Sequence, residues 1–335
     1  MPKLFDNFQI RGFLLKNRIV APPIATTLSS TNGLPTRKSL DHYSKLSDSD
    51  VGLVILEHHA VHSDGRVRTK QPLLDRDEVI PYQKELVTVF SSKEMPVFVQ
   101  INHAGSLIQD RDILKGQWRP KGPSSVPHPC SDLPLIPTEL TKTDISRFQV
   151  LFAEASIRAQ KAGYQGVEIH ASHGYLLGQF LSPETNKRSD IYGGDVRNRA
   201  RMLFEVYDAV RSSVSNDMIV SVRLGMADTL PGDTPHGQTI EDGCWIAREL
   251  AAKGLDLLDL SGNMCRYQGK GNAWFAPHCR IIKEAVVKVP TICTGGIKDS
   301  ETAQELLNKG DCDLVGIGRA LFSNPGLIRE WRDRT

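Results

Sequence analysis

The sequence contains no C-x-x-C pair, although it has six cysteines. Disulfide-stapled and zinc-bound domains usually carry cysteines at short, regular spacings, so we expect these six to be reduced thiols. No run approaches the ~20 apolar residues that a membrane-spanning helix needs. The N-terminus, MPKLFDNFQIRGF, lacks the apolar core of a signal peptide. Together these absences predict a cytoplasmic protein with no membrane partner.

An excess of charge is also missing, because 41 Lys and Arg residues face 39 Asp and Glu residues. A balance this close to neutral gives no reason to expect nucleic acid as a partner. The 335 residues are enough for one large domain or two small ones. By composition alone, an enzyme is only the default expectation.

Short apolar runs alternate with longer amphipathic segments along the chain. The runs predict eight strands, at 19–24, 51–58, 97–104, 166–170, 219–225, 255–262, 291–296 and 314–320. The segments between them predict helices near 36–49, 80–94, 144–162, 195–214, 240–253, 276–287 and 299–309, with a last one from about 325. Eight such units predict an α/β fold, the (β/α)8 TIM barrel. A doubly wound sheet is the alternative, but the first strand runs into APPIATT, which lacks the glycine-rich dinucleotide loop of that fold.

Two segments fall outside the eight repeats. Residues 4–18 predict an N-terminal hairpin that closes the bottom of the barrel. Residues 105–141 form a long, proline-rich excursion from the C-terminal end of strand three, where TIM barrels have their active face. We therefore expect residues 1–335 to form a single domain, with 105–141 lying over the active face.

The stretch from 166 to 194, GVEIHASHGYLLGQFLSPETNKRSDIYGG, begins as a strand and then leads through a turn into a long loop. Because side chains alternate along a strand, His170 and His173 converge only if the chain turns between them, which Ala-Ser-His-Gly permits. Tyr175 follows at once. The cluster is either a ligand site or three polar residues with partners at a strand end.

The same alternation predicts a polar upper interior for the barrel. It assigns five side chains to that interior: Glu57, Gln100, Glu168, His170 and Arg223. Burying such groups without partners costs several kcal/mol each. They can pair among themselves, with Glu57 and Glu168 both serving Arg223, or they can receive a planar polar ligand.

Glycines end the last two predicted strands, in TGG (294–296) and GIGR (316–319). Barrel phosphate sites are commonly built from the loops after these strands, where glycines let backbone N–H groups approach phosphate oxygens and an arginine adds a charged contact. Turn glycines beside a surface arginine are the other interpretation. A cofactor with one phosphate near strands seven and eight and a polar heteroaromatic ring over the barrel mouth is predicted, and FMN fits this description. Gln100 would bond the pyrimidine edge of the ring, and Arg223 would stabilise its reduced, anionic form.

Five segments resemble the Old Yellow Enzyme family of FMN-dependent ene-reductases, in its single-barrel form. They are LKNRIVAPP (15–23), VQINHAG (99–105), the whole of 166–194, NRAR (198–201) and GDCDLVGIGRALFSNP (310–325). The resemblance implies an FMN-binding barrel that takes hydride from NAD(P)H and passes it to the activated C=C bond of an α,β-unsaturated carbonyl compound. Its partner is then a small enone, and a homo-oligomer is compatible with it.

The resemblance also implies roles for particular residues. His170 and His173 match the pair that binds the substrate's carbonyl oxygen, with Thr27 expected beside the substrate, and Tyr175 matches the proton donor. The flavin-ring contacts are matched by Pro23, Ile24, Ala25, Ala60, Gln100 and Arg223. The phosphate end is matched by Gly295, Gly296, Gly318 and Arg319.

The chain departs from the family pattern next to the expected flavin. Ala25 stands where a Thr or Cys usually bonds the flavin O4, and Thr26 replaces that hydroxyl only if the turn shifts. His58 and His59 stand where small residues are common, which predicts a narrower or differently charged pocket. A changed flavin potential would favour desaturation or isomerisation of an enone over its reduction. A non-catalytic flavin-binding barrel is a further alternative, against which the His pair and Tyr175 argue.

Loop aromatic residues and the C-terminus complete the expectations. Trp118, Tyr267, Trp274 and Phe275 either line the pocket or pack. No cysteine follows Cys312, so we expect no iron–sulfur segment of the kind that related dienoyl-CoA and enoate reductases carry.

Overall fold

Eight parallel strands close into a barrel in the structure, a computed structural model that describes residues 1–115, 119–133, 135–228, 237–265 and 271–334. In barrel order they are β3 (Ile19–Ala21), β4 (Leu53–Ala60), β5 (Val97–Asn102), β8 (Gly166–Ala171), β9 (Ile219–Gly225), β10 (Leu257–Ser261), β11 (Thr291–Thr294) and β12 (Leu314–Gly316), which pairs back with β3. The numbers left out belong to two small pairs, β1 (Phe8–Ile10) with β2 (Phe13–Leu15), and β6 (Lys121–Gly122) with β7 (Thr138–Glu139). The predicted (β/α)8 barrel is confirmed.

The β1–β2 hairpin closes one end of the barrel, as predicted. Its Ile10 and Leu15 are buried and join an apolar cluster with Leu53, Phe98 and Ile219, which come from the starts of barrel strands. The lower interior is thus filled with apolar side chains, and a ligand must enter from the other end.

Helices follow the strands within a few residues of the predicted bounds. They are α1 (Arg37–Ser47), α2 (Ile80–Ser91), α3 (Lys142–Ala162), α4 (Leu176–Leu181), α5 (Val196–Ser213), α6 (Ile240–Ala252), α7 (Ala276–Ala285), α8 (Ser300–Lys309), α9 (Arg319–Ser323) and α10 (Leu327–Arg332). Short 3-10 turns span Ser63–Gly65, Asp77–Val79 and Arg111–Lys115. Among the described helices, none has the length and apolar character needed to cross a membrane.

Two short helices were not expected from the sequence. The stretch 166–194 contains α4, although a continuous loop was predicted after Tyr175. The last strand ends at Gly316 and α9 begins at Arg319, so the strand predicted to reach residue 320 is shorter. Both helices are too brief for an apolar period to be visible in the sequence.

The excursion of residues 105–141 lies, in its described part, against the end of β8. Leu107 and Ile108 share a small apolar cluster with Tyr175. His128 Nε2 lies 2.8 Å from the carbonyl oxygen of Gly174. This long connection therefore packs directly on the residues that the sequence singled out.

Candidate active site

The turn after β8 brings the two histidines together. His173 and Gly174 both adopt left-handed backbone conformations, with φ of 61° and 73°. This conformation reverses the chain direction within one turn and costs a non-glycine residue roughly 1–2 kcal/mol. His173 Nδ1 comes to lie 3.2 Å from His170 Nε2. This strained turn brings together two side chains that a straight strand would hold on opposite faces.

The N–H and the carbonyl of Gly174, the residue before Tyr175, are both hydrogen-bonded to neighbouring groups. Its N–H donates to Asn263 Oδ1 at 3.2 Å. Its carbonyl accepts from Gln179 Nε2 at 2.7 Å and also contacts the ring of His128. The backbone that precedes Tyr175 is therefore held in place by three separate parts of the chain.

Hydrogen bonds around the histidine pair fix which ring nitrogens carry protons. The Ser172 N–H lies 3.3 Å from His170 Nδ1 and can only donate, so His170 carries its proton on Nε2. That proton faces His173 Nδ1, which leaves the second proton on His173 Nε2, 2.7 Å from Ser261 Oγ. The three groups form a short hydrogen-bonded chain between β8 and β10.

Burial keeps these rings neutral and the tyrosine protonated. It lowers the pKa of His170 and of His173 well below their usual value, with the charge of Arg223 acting in the same direction. It raises the pKa of Tyr175 to about 12. The Tyr175 ring lies edge-on to His170, with ring centroids 4.8 Å apart. The site therefore offers neutral hydrogen-bond donors and one protonated phenol.

A cavity lies beside this group, in front of the end of β4. It is lined by Ala25, Thr27, Glu57, His58, Val67, Arg68, Gln71, Gln109 and Tyr175. Ala25 and Thr27 come from the loop after β3, and Thr27 has a left-handed backbone with φ of 56°. The loop after β3 and the turn after β8 thus face each other across the cavity.

The two adjacent histidines of β4 lie in different environments. The register with β5 shifts between Leu56 and His59, so the strand bulges at this point. The His58 ring lines the cavity, 5.4 Å from the Tyr175 ring. His59 instead donates from Nδ1 to the Glu57 carbonyl at 2.7 Å and lies beside Gln83 of α2. The expectation that both narrow the pocket is wrong for His59.

Gln71 sets the tautomer of His58. Its Oε1 accepts from the Val67 N–H, which leaves its amide nitrogen 2.8 Å from His58 Nδ1. An amide nitrogen can only donate, so His58 Nδ1 accepts and the ring proton sits on Nε2. Burial lowers the pKa of His58 to about 4, and the ring stays neutral near pH 7.

Glu57 does not serve Arg223, contrary to the sequence interpretation. Its carboxylate accepts from both the N–H and the hydroxyl of Thr26, and from the Tyr43 hydroxyl at 3.0 Å. The β4 bulge directs it toward α1 instead of the barrel axis. Since the Thr26 hydroxyl is committed to Glu57, it does not replace the hydroxyl that Ala25 lacks.

The barrel mouth carries two buried polar pairs on its axis side. Gln100 donates to Glu168 Oε1 at 2.8 Å, and Arg223 Nε lies 3.2 Å from Asp259 Oδ2. The latter contact is close but not aligned as a hydrogen bond, so Arg223 Nε and Asp259 Oδ2 are buried without one. Glu168 Oε2 is also buried without a hydrogen bond. Burial raises the pKa of both carboxyl groups. Incomplete pairing at this depth indicates a polar ligand.

The ends of β11 and β12 form the predicted glycine pair. Gly295 and Gly296 have positive φ values of 128° and 73°, which favour glycine. A side chain on either would collide with the rings of Phe275 or Trp274, which cover this corner. The Arg319 guanidinium lies 5.0 Å from the Trp274 ring centre. Gly318 caps α9 directly before it.

These features fit FMN. The glycine corner with exposed Arg319 suits its phosphate, and the unpaired polar atoms near Gln100 and Arg223 suit its ring edge. Ile24 lines a second small cavity with Gly318, and Pro23 precedes it in the same loop. Ala60 does not line either cavity: it is fully buried and bridges to Leu73, while His58 occupies the wall.

Some residues of the candidate site were not recognised from the sequence. Asp259 and Ser261 alternate with leucines in LDLLDLSG, so the period that exposed Gln100 and Arg223 would have found them too. Asn263 lies beyond that strand and gave no such signal. Of the four loop aromatics, Trp118 and Tyr267 lie outside the described residues, and the other two pack at the glycine corner.

The sequence model of the family described as NADH:flavin oxidoreductase / NADH oxidase matches residues 3–334. The chain belongs to this family. The likeness to Old Yellow Enzymes is thereby confirmed, together with FMN as the cofactor of the family.

Individual relatives agree with this placement. The chain is 33% identical over 341 residues to an NADH oxidase of Thermoanaerobacter brockii, covering 98% of this chain but 50% of that protein. It is 32% identical over 330 residues to an NADPH dehydrogenase of Geobacillus sp. (strain WCH70), covering 96% and 91%. A solved Old Yellow Enzyme homologue from Zymomonas mobilis has a TM-score of 0.85 at 25% identity, covering 100% and 93%. The chain thus spans about half the length of the NADH oxidase it resembles.

Proposed function

We propose that this protein reduces the activated C=C bond of α,β-unsaturated carbonyl compounds. One observation carries the proposal: Tyr175, which lines the cavity and is protonated, stands beside two neutral, mutually bonded histidines. FMN, when bound, supplies the hydride that it receives from NAD(P)H. We place both cofactor and substrate within a single domain of residues 1–335, with the 105–141 excursion over the active face.

His170 and His173 bind the substrate's carbonyl oxygen in this proposal. If the Ser261 hydroxyl donates to His173 Nε2 instead of accepting, the His173 proton moves to Nδ1. His170 Nε2 and His173 Nδ1 then both carry protons and no longer bond to each other. Both can donate to the substrate's carbonyl oxygen when it lies between them. Two donors at that oxygen stabilise the negative charge that develops on it, and each is worth on the order of 3 kcal/mol.

Tyr175 delivers the proton to the substrate carbon next to the carbonyl. Its raised pKa keeps the hydroxyl protonated at neutral pH, so a donor is always present. No hydrogen bond to this hydroxyl occurs within the described residues, and the ring lines the cavity. Thr27 faces it from the opposite loop and contacts the substrate.

Anaerobic mixing of the FMN-loaded protein tests both half-reactions. NADH or NADPH should bleach the flavin, and cyclohexenone should then restore its colour and yield cyclohexanone. Tyr175→Phe should leave bleaching intact and slow the second step about 100-fold, since general acids contribute at least that much. Flavin that neither nucleotide bleaches, or a variant that reduces cyclohexenone at the normal rate, would contradict the proposal.

A second candidate function is desaturation or isomerisation of an enone at the same site. Ala25 lines the cavity, and the neighbouring Thr26 hydroxyl is taken by Glu57, so neither tunes the flavin by a side-chain hydrogen bond. Product analysis of the same mixture separates the two: isomerised enone without nucleotide consumption favours this candidate.

A further inference from the structure

Arg68 is the positively charged side chain on the wall of the cavity, and none of the roles assigned above uses it. It lines the cavity together with His58, Gln71 and Gln109. Its side chain is exposed, and the rest of the wall consists largely of neutral groups. A single cation in such surroundings sets the preference of the cavity for ligand charge.

A neutral partner holds the Arg68 guanidinium in place. Nε and Nη2 both donate to Gln109 Oε1, at 3.0 and 2.8 Å. An amide oxygen orients the group without cancelling its charge, unlike a carboxylate. No ion pair involving Arg68 occurs within the described residues, and its Nη1 is left for another acceptor.

The nearest carboxylates are already engaged. Asp110 accepts from the N–H and hydroxyl of Thr69 and from the Asp112 N–H. Glu57, also on the cavity wall, is bonded by Thr26 and Tyr43. Neither forms an ion pair with Arg68 in the structure.

The charge of Arg68 reaches the reacting end of the cavity. Burial raises the pKa of Tyr175, and the Arg68 charge opposes that rise. Burial lowers the pKa of His58, and the Arg68 charge adds to that effect. A ligand that contacts Tyr175 is therefore close enough to Arg68 for its positive charge to affect binding.

We infer that Arg68 binds an anionic substituent of the substrate, so that the preferred substrates are α,β-unsaturated carbonyl compounds that carry a carboxylate away from the C=C bond. The inference rests on the proposed function and names its substrate class. Arg68 orients the substrate at the mouth while the histidine pair and Tyr175 act on the enone.

The test compares two probes with the same enone, (4-oxocyclohex-2-enyl)acetate and its neutral methyl ester. The FMN-loaded protein should give a higher kcat/KM for the acid. Arg68→Gln should lower the ratio of the two kcat/KM values about tenfold, as expected for one exposed, charge-assisted contact. Arg68→Lys should restore much of the ratio, and added salt should lower it in the natural protein.

Two controls make the outcome specific. Arg37→Gln removes one charge from an exposed helical pair with Asp41, neither of which lines the cavity, and should leave the ratio unchanged. Bleaching of the flavin by NADPH measures whether Arg68 instead binds the nucleotide's phosphates. If Arg68→Gln weakens only NADPH bleaching, or leaves the acid-to-ester ratio of kcat/KM unchanged, the inference is overturned. If neither probe is reduced at all, the proposed function itself fails.

Discussion

Two pairs of histidines lie at the mouth of the barrel, and the backbone separates the members of one pair and brings those of the other together. In β4, His58 and His59 are adjacent, and a bulge places one at the cavity and the other against α2. After β8, His170 and His173 are three residues apart, and a left-handed turn joins them. Spacing alone therefore does not determine which histidines act together: the local backbone conformation does.

The largest expected effect separates His170, which bonds to His173, from His58, which lines the cavity. His170→Ala removes a donor to the carbonyl oxygen and should slow enone reduction about 100-fold. His58→Ala should lower the rate much less, because His58 borders the cavity without bonding to the other histidines. Stopped-flow rates for reoxidation of the reduced flavin by cyclohexenone measure both. Equal losses in the two variants would remove the distinction between the pairs.

His59, the member of the β4 pair that faces α2, should affect stability in a pH-dependent way. Burial lowers the pKa of His59 to about 4, whereas the unfolded chain has a value near 6.5. As pH falls below 6.5 the unfolded state binds a proton that native His59 does not, so the stability of the natural protein declines. His59→Ala escapes this loss, and its destabilisation should shrink by about 2 kcal/mol between pH 7 and pH 5. Urea unfolding at both pH values checks this, and a constant difference would contradict the buried, neutral assignment.

The smallest expected effect concerns the partner of the β8 pair. Ser261→Ala removes the hydroxyl from His173 Nε2 and should raise the KM for cyclohexenone about fivefold, the equivalent of about 1 kcal/mol. Ser261→Thr keeps a hydroxyl at this position and should recover most of the loss. A KM that is normal in the alanine variant would show that His173 needs no help in choosing its tautomer.

The fold was predictable because eight apolar runs and the helices between them are periodic over the whole chain. The polar barrel mouth followed from the alternation of side chains along the strands, and the glycine corner from the glycines that end the last two strands. The alternation of side chains failed as a guide at β4, where a bulge turns Glu57 toward Tyr43 and His59 toward α2. A bulge interrupts the two-residue period, and no residue in this part of the sequence indicates it. The pairing of Arg223 with Asp259 needed knowledge of which strands are neighbours.

The tethers on Gly174 have a consequence for the order in which the molecule is assembled. The N–H of Gly174 is bonded to a residue 89 positions later, and its carbonyl contacts one 46 positions earlier. Contacts so distant in sequence form late, because closing long loops is entropically costly. We expect Tyr175, the residue after Gly174, to be positioned only when the barrel has closed. Hydrogen exchange at the Gly174 amide should then require global unfolding, and exchange by local opening would contradict this.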